Sequence, residues 1–229
     1  MTPPVWPQLA YLVAAVSFIL TLKGLSSPRT ARRANGLGAA GALLAVVVTF
    51  FAYDIDNLLL ILLAIVVGTA AGTAGARRVA MTAMPQLVAL FNGVGGGAAA
   101  LVALLELGES GRAAFSVMNL MAIAFTALVG AVSFSGSVVT FLKLQELMTT
   151  RPVLFPGGPA VFGASLGISV VLAVLTVASG SLGWAITLCI VGLVVGVLLV
   201  LPVGGADVPV VISLLNAFTG LAVAAGGYV

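Results

Sequence analysis

The chain has 229 residues, of which 62% are hydrophobic and only 7% are Asp, Glu, Lys or Arg, where a typical soluble domain carries about 25% charged residues. So few charges cannot cover a water-exposed surface, which leaves the membrane class. The net charge of +3 does not point to nucleic acid, because the basic residues fall between apolar runs.

The first residues, Met1-Thr2-Pro3-Pro4, have no basic leader region, and no small-residue cleavage site follows the first apolar run. That run is expected to be a first span and not a signal peptide. A helix needs about 20 apolar residues to cross about 30 Å of hydrocarbon. This length predicts eight spans in chain order: Trp6–Leu25, Ala34–Ala52, Asn57–Ala76, Met84–Leu105, Ala114–Leu147, Ala160–Ala178, Leu182–Leu201 and Val208–Val229. The fifth is too long for one crossing. It is expected to project into water at Lys143, Gln145 and Glu146, or to break near Ser135-Gly136. Continuous apolar runs, with no alternation, argue against a closed β-barrel. The expected fold is all-α, a polytopic helical bundle forming a single transmembrane domain over 1–229, with connections too short to hold a soluble catalytic domain.

Charge sets the expected orientation. Lys23, Arg29, Arg32 and Arg33 follow the first span, Arg77 and Arg78 the third, and Lys143 and Arg151 the fifth. These alternate connections hold eight of the nine basic residues. Asp54, Asp56, Glu106, Glu109 and Arg112 fall on the opposite side. The positive-inside rule makes the basic side cytoplasmic and puts the N-terminus outside.

There is no histidine, so a His-based metal site, catalytic triad or proton switch within these residues is excluded. The lone Cys189 sits in an apolar run and reads as a small core residue. Glycines recur at spacings of three or four, as in the pairs Gly68 and Gly72, Gly93 and Gly97, and Gly192 and Gly196. Such pairs let helices approach closely in lipid. Gly93-Val-Gly95-Gly96-Gly97-Ala98 also fits a dinucleotide-loop pattern, but it lies inside a span with no strand before it, so that match is rejected.

Polar groups inside lipid cost free energy unless they find partners. Thr126, Gly130, Ser133, Ser137 and Thr140 share one helix face. They form either a packing seam whose hydroxyls bond back to their own helix or the wall of a narrow wet path. Ser213, Asn216 and Thr219 step by three in the last span, beside Gly220. Asn216 lies about 13 Å along the axis from Asp207, near mid-membrane. Asn92 lies about 10 Å past Pro85. Each amide is either an interhelical clamp or a group that orders water. Asp207 is placed to cap the last helix, to bind or gate protons at the cytoplasmic mouth, or to do both.

These residues sit in three phrases: Met84-Pro85-Gln86-Leu87-Val88-Ala89-Leu90-Phe91-Asn92-Gly93, Phe134-Ser135-Gly136-Ser137-Val138-Val139-Thr140-Phe141-Leu142-Lys143-Leu144, and Gly204-Gly205-Ala206-Asp207-Val208-Pro209-Val210-Val211-Ile212-Ser213-Leu214-Leu215-Asn216. Together, and in the right order along the whole chain, they resemble the membrane part of the β subunit of proton-translocating NAD(P) transhydrogenase. The resemblance implies an oxidoreductase complex of the inner membrane that couples hydride transfer between NADH and NADP⁺ to proton flow. Asn92, Ser137, Ser213 and Asn216 would belong to the proton path, and Asp207 with Gly204 and Gly205 to coupling at the cytoplasmic face. No catalytic, cofactor or metal site is expected in this chain, because soluble domains of the full complex would bind NAD(H) and NADP(H). The implied partners are membrane helices of an α-type subunit, those soluble domains, a second copy of the complex and the lipid bilayer, with no nucleic acid.

Two departures from the family matter. Members often carry histidine where this chain has Asn92, and an amide can position water or a partner but cannot carry a proton near neutral pH. A titrating group is therefore expected from elsewhere, as a partner-subunit histidine. The family's ninth helix and NADP(H)-binding domain are expected to be absent, so this chain alone should not bind NADP(H). Two other readings stand beside this one. A secondary transporter would show inverted repeats and broken helices. A purely structural subunit would use every polar residue as a clamp.

Overall fold

The computed structural model describes residues 5–53 and 55–229. The reading of Met1-Thr2-Pro3-Pro4 and the placement of Asp54 lie outside the described residues. Eight helices are each long and apolar enough to cross a membrane: α1 (Val5–Leu25), α2 (Pro28–Ala52), α3 (Leu58–Arg78), α4 (Met84–Ser110), α5 (Val117–Leu144), α6 (Gly158–Ser179), α7 (Leu182–Val200) and α8 (Val208–Gly226). Among the described residues there is no strand. The all-α, multi-pass expectation holds.

Boundaries moved where charge had been equated with loop. Helix α2 starts six residues before Ala34, at Pro28, because proline suits the first helical turn and Ser27 before it is extended (φ −131°, ψ 133°). Arg29, Arg32 and Arg33 therefore ride on helical turns. Helix α4 continues to Ser110, with Glu106 and Glu109 near its end, and stops at Gly111 in a left-handed backbone (φ 65°). Helix α5 is one unbroken helix through Ser135-Gly136, ending at Leu144. Its 28 residues span about 42 Å at 1.5 Å per residue, close to the bilayer with its headgroup regions. Beyond Leu144 the chain folds back. Glu146 takes a left-handed backbone (φ 58°), and the Leu147 and Met148 amides donate to the Leu142 carbonyl at 3.0 and 3.1 Å.

The chain groups into two compact units, the first ending at Gly72 and the second covering Thr73–Val229. In the first unit, α1 and α2 form a hairpin. The Tyr11 hydroxyl lies 2.9 Å from Thr49 Oγ1, and Thr21 Oγ1 donates to the Ala34 carbonyl at 3.2 Å. A Cβ on Gly41 would come within 3.0 Å of Ser17 Cβ, so glycine sets this approach. Gly68 and Gly72, expected to mediate a helix contact, face open space instead.

In the second unit, α5 is central, with α4, α7, α8 and α6 packed around it. Leu120, Ile123 and Ala127 of α5 form an apolar core with Ala100, Ala103 and Leu107 of α4 and Ala185 and Cys189 of α7. Cys189 is buried there, as expected. A Cβ on Gly196 would overlap Ser135 Oγ and the Val132 carbonyl, so α7 reaches the α5 backbone only because that position has no side chain. Arg112, the one basic residue grouped with the acidic ones, donates to the Val177 carbonyl of α6 at 2.7 Å. It thus serves an exposed helix C-terminus, where a cation is favoured.

Candidate functional site

Where α4, α5 and α8 meet, a polar junction is buried in apolar surroundings. Asn92 of α4 is only 7% exposed. Its Nδ2 donates to Ser137 Oγ at 2.9 Å and to Ser133 Oγ at 3.1 Å, both on α5. Ser133 Oγ in turn donates to the Leu215 carbonyl of α8 at 2.9 Å and lies 2.5 Å from Thr219 Oγ1. One amide and three hydroxyls thus bridge three helices. Glycine permits it: a Cβ on Gly130 would sit 2.6 Å from the Gly96 carbonyl oxygen, so α4 and α5 touch backbone to backbone one turn from Asn92.

The junction is not closed. Asn92 Oδ1 is buried and has no hydrogen-bond partner. An amide oxygen accepts two hydrogen bonds, and a buried one left bare carries a desolvation cost of about 1–3 kcal/mol. It is therefore an open acceptor, suited to a water or to a protonated group.

The polar face of α5 divides by partner. Thr140 alone of its hydroxyls bonds back to its own helix, to the Gly136 carbonyl at 2.8 Å. Thr126 donates across to the Ala222 carbonyl of α8 at 3.0 Å, while Ser133 and Ser137 join the junction. Most of the face therefore serves contacts between helices.

The structure separates other residues that the sequence grouped. Asn216 and Ser213 are exposed on the outer face of α8, and Ser213 Oγ bonds the Val210 carbonyl at 2.7 Å. Neither joins Asn92 and Ser137. Thr219, noted only as the last of that series, is the α8 residue whose side chain reaches the junction.

On the acidic-end side of the junction, α4, α5 and α8 border a half-open cavity of about 450 Å³. Gly95, Ala99 and Glu106 line it from α4, Thr126 from α5, and Val223 and Gly226 from α8. A Cβ on Gly95 would lie 3.6 Å from Thr219 Cγ2, so the cavity's inner end abuts the junction. Sequence reasoning assigned Glu106 only to a side. Its place at a cavity depends on helix packing, which no local signal reports.

At the basic end, Gly204-Gly205-Ala206-Asp207 forms the connection from α7 to α8, ending in a short 3₁₀ turn over Gly205–Asp207. Asp207 occupies the position before α8 but makes no side-chain capping bond, so the capping role is not realised and its carboxylate stays exposed. The connection is stitched to the segment after α5. Val153 N donates to the Leu201 carbonyl at 3.0 Å and Gly205 N to the Thr150 carbonyl at 2.9 Å. Gln86 of α4 donates to the Leu144 carbonyl at 3.2 Å, and its Oε1 is buried without a partner. Gln86 did not stand out in the sequence, and Lys143, which lies beside this connection, was read there only as a charge at the end of the fifth span.

Residues 7–229 match the family described as NAD(P) transhydrogenase beta subunit. Two curated sequences named NAD(P) transhydrogenase subunit beta, one from Rhodospirillum rubrum and one from a designated strain of that organism, are each 43% identical to this chain over 225 residues. The aligned region covers 96% of this chain and 48% of each relative, so the chain spans about half the length of the relatives it matches.

Proposed function

We propose a function from one premise: the chain belongs to the NAD(P) transhydrogenase beta subunit family. It forms membrane-embedded proton-conducting structure for an enzyme that couples proton flow to hydride transfer between NADH and NADP⁺. The observation that carries this reading is the junction of Asn92, Ser133, Ser137 and Thr219, with its bare Asn92 oxygen and the cavity that abuts it.

In this reading, water enters from the Glu106 end, reaches Thr219 and Ser133, and meets Asn92 near mid-membrane. Asn92 and the hydroxyls orient water and do not titrate, since an amide has no proton to exchange near neutral pH. A titrating group from an α-type partner helix completes the relay. The outward Asn216 and Ser213 face that partner or a second copy of the complex, where a mid-membrane amide finds the hydrogen bonds it lacks within this chain. NAD(H) and NADP(H) bind soluble domains outside these residues. The NADP(H)-binding domain docks at the basic, cytoplasmic end, against Asp207 and the Gly204-Gly205 connection, in the inner membrane of the cell.

The test is hydride-driven proton pumping by the complete complex in sealed vesicles, with Ser133→Val, Asp207→Asn and Asn216→Leu. Each variant is expected to lower pumping by roughly tenfold or more, equivalent to about 1.4 kcal/mol, with nucleotide binding retained. Wild-type pumping in all three would overturn the reading.

A further inference from the structure

Lys143 is the largest fully buried side chain among the described residues. Burying a lysine in a membrane-spanning bundle is costly unless its donors are satisfied. Here the partners are backbone carbonyls. Nζ donates to the Leu201 oxygen and to the Val203 oxygen, each at 2.7 Å. Helix α7 ends at Val200, so Lys143 satisfies carbonyls that the end of α7 leaves open, at the pole where a cation is favoured. The same two residues begin the connection that runs through Gly204 and Gly205 to Asp207. Leu201 O also receives the Val153 amide, so one oxygen ties three chain segments together.

The other end of this tie matters equally. Lys143 stands ten residues after Ser133 on the same unbroken helix, about 15 Å along its axis. Between the junction residues Ser133 and Ser137, Leu215 of α8 packs on Gly136, where a Cβ would come within 3.0 Å of it. Gln86 holds the Leu144 carbonyl from α4. The end of α5 is therefore fixed to the helix that carries Asn92 and to the connection that carries Asp207.

We propose that Lys143 is a positioning residue, a latch joining the end of α5 to the α7–α8 connection, so that the state of the Asn92–Ser133 junction is conveyed to Gly204–Asp207. The proposal rests on the reading that protons pass at that junction. A long, capped helix can shift as a body, and a lysine gripping two carbonyls makes the connection shift with it. A hydrophobic side chain at this position would fill the space but release the carbonyls. The connection, with two adjacent glycines, could then move without α5.

The experiment measures protons moved per hydride transferred by the complete complex in sealed vesicles, comparing wild type with Lys143→Met, Lys143→Gln and Lys143→Arg. Loss of the latch lowers the ratio in the Met variant by severalfold while hydride transfer continues, and Arg, which keeps charge and donors, restores much of it. A merely structural role lowers both rates in proportion and leaves the ratio at the wild-type value, and that result overturns the proposal. If the Met variant does not assemble, the ratio of the Gln variant decides in the same way. Absence of hydride-linked proton movement in the wild-type complex would instead overturn the underlying reading of the junction.

Discussion

Asn92 and Asn216 were equally conspicuous as amides in apolar helices, yet only Asn92 reaches the junction. Helix phase explains the difference. A step of three residues falls about 60° short of a full turn, so the series Ser213, Asn216, Thr219 rotates by about 120° along its length. Thr219 arrives opposite Ser133 while Asn216 faces outward. On α5 the steps alternate between four and three and average close to 3.6, so Thr126, Ser133 and Ser137 stay on one buried face. The sequence showed which side chains were anomalous, and spacing alone could have ranked Thr219 against Asn216 had the facing helices been known. Replacement of Asn92 by histidine places a titratable group at the junction. Its ordinary pKa is about 6.5, so the pH profile of pumping by the complete complex is expected to gain an inflection in the neutral to mildly acidic range. An unchanged profile with full activity would show that protons do not sense this position.

At the scale of the helix, length and apolarity located all eight elements, because a span's chemistry is set by the solvent around it. The ends that moved most were those where charge was taken to mean loop. Arg29 through Arg33 lie on a helix begun by Pro28, Glu106 and Glu109 lie within α4, and Lys143 found acceptors at the end of α7, a partner far away in sequence. Glycine pairs were equally ambiguous, since the same spacing supports a contact at Gly192 and Gly196 and open space at Gly68 and Gly72. This difference is testable. Gly130→Val forces α4 and α5 apart, and overpacking of that kind costs about 1–3 kcal/mol. Its thermal transition in detergent should fall clearly below that of the wild-type chain. Gly68→Val meets nothing within this chain and should leave that transition unchanged. An unchanged transition in Gly130→Val would mean the close approach at Gly96 and Gly130 is not needed.

For the molecule as a whole, the outward surfaces are as informative as the core. Helix α3 has no buried residue, and Asn216 presents an amide on the outside of α8. Exposed apolar faces are ordinary in lipid, but an exposed mid-membrane amide calls for another helix. Asn216→Leu should therefore leave the isolated chain's thermal transition in detergent within error of wild type while weakening assembly with partner subunits, read by co-purification. A destabilised isolated chain would place the role of Asn216 inside this bundle. Contacts outside a chain are invisible in its sequence alone, which is why the outward face of Asn216 was not distinguished from the inward face of Thr219.

The account depends on water reaching the junction from the Glu106 end. The most direct measurement is thiol labelling of Thr219→Cys in a Cys189→Ala background, in the complete complex reconstituted in vesicles, with a small water-soluble reagent added to one side at a time. Labelling from the Glu106 side, with loss of proton pumping as the thiol is modified, is the predicted result. A thiol that stays unlabelled from both sides while pumping continues would contradict it.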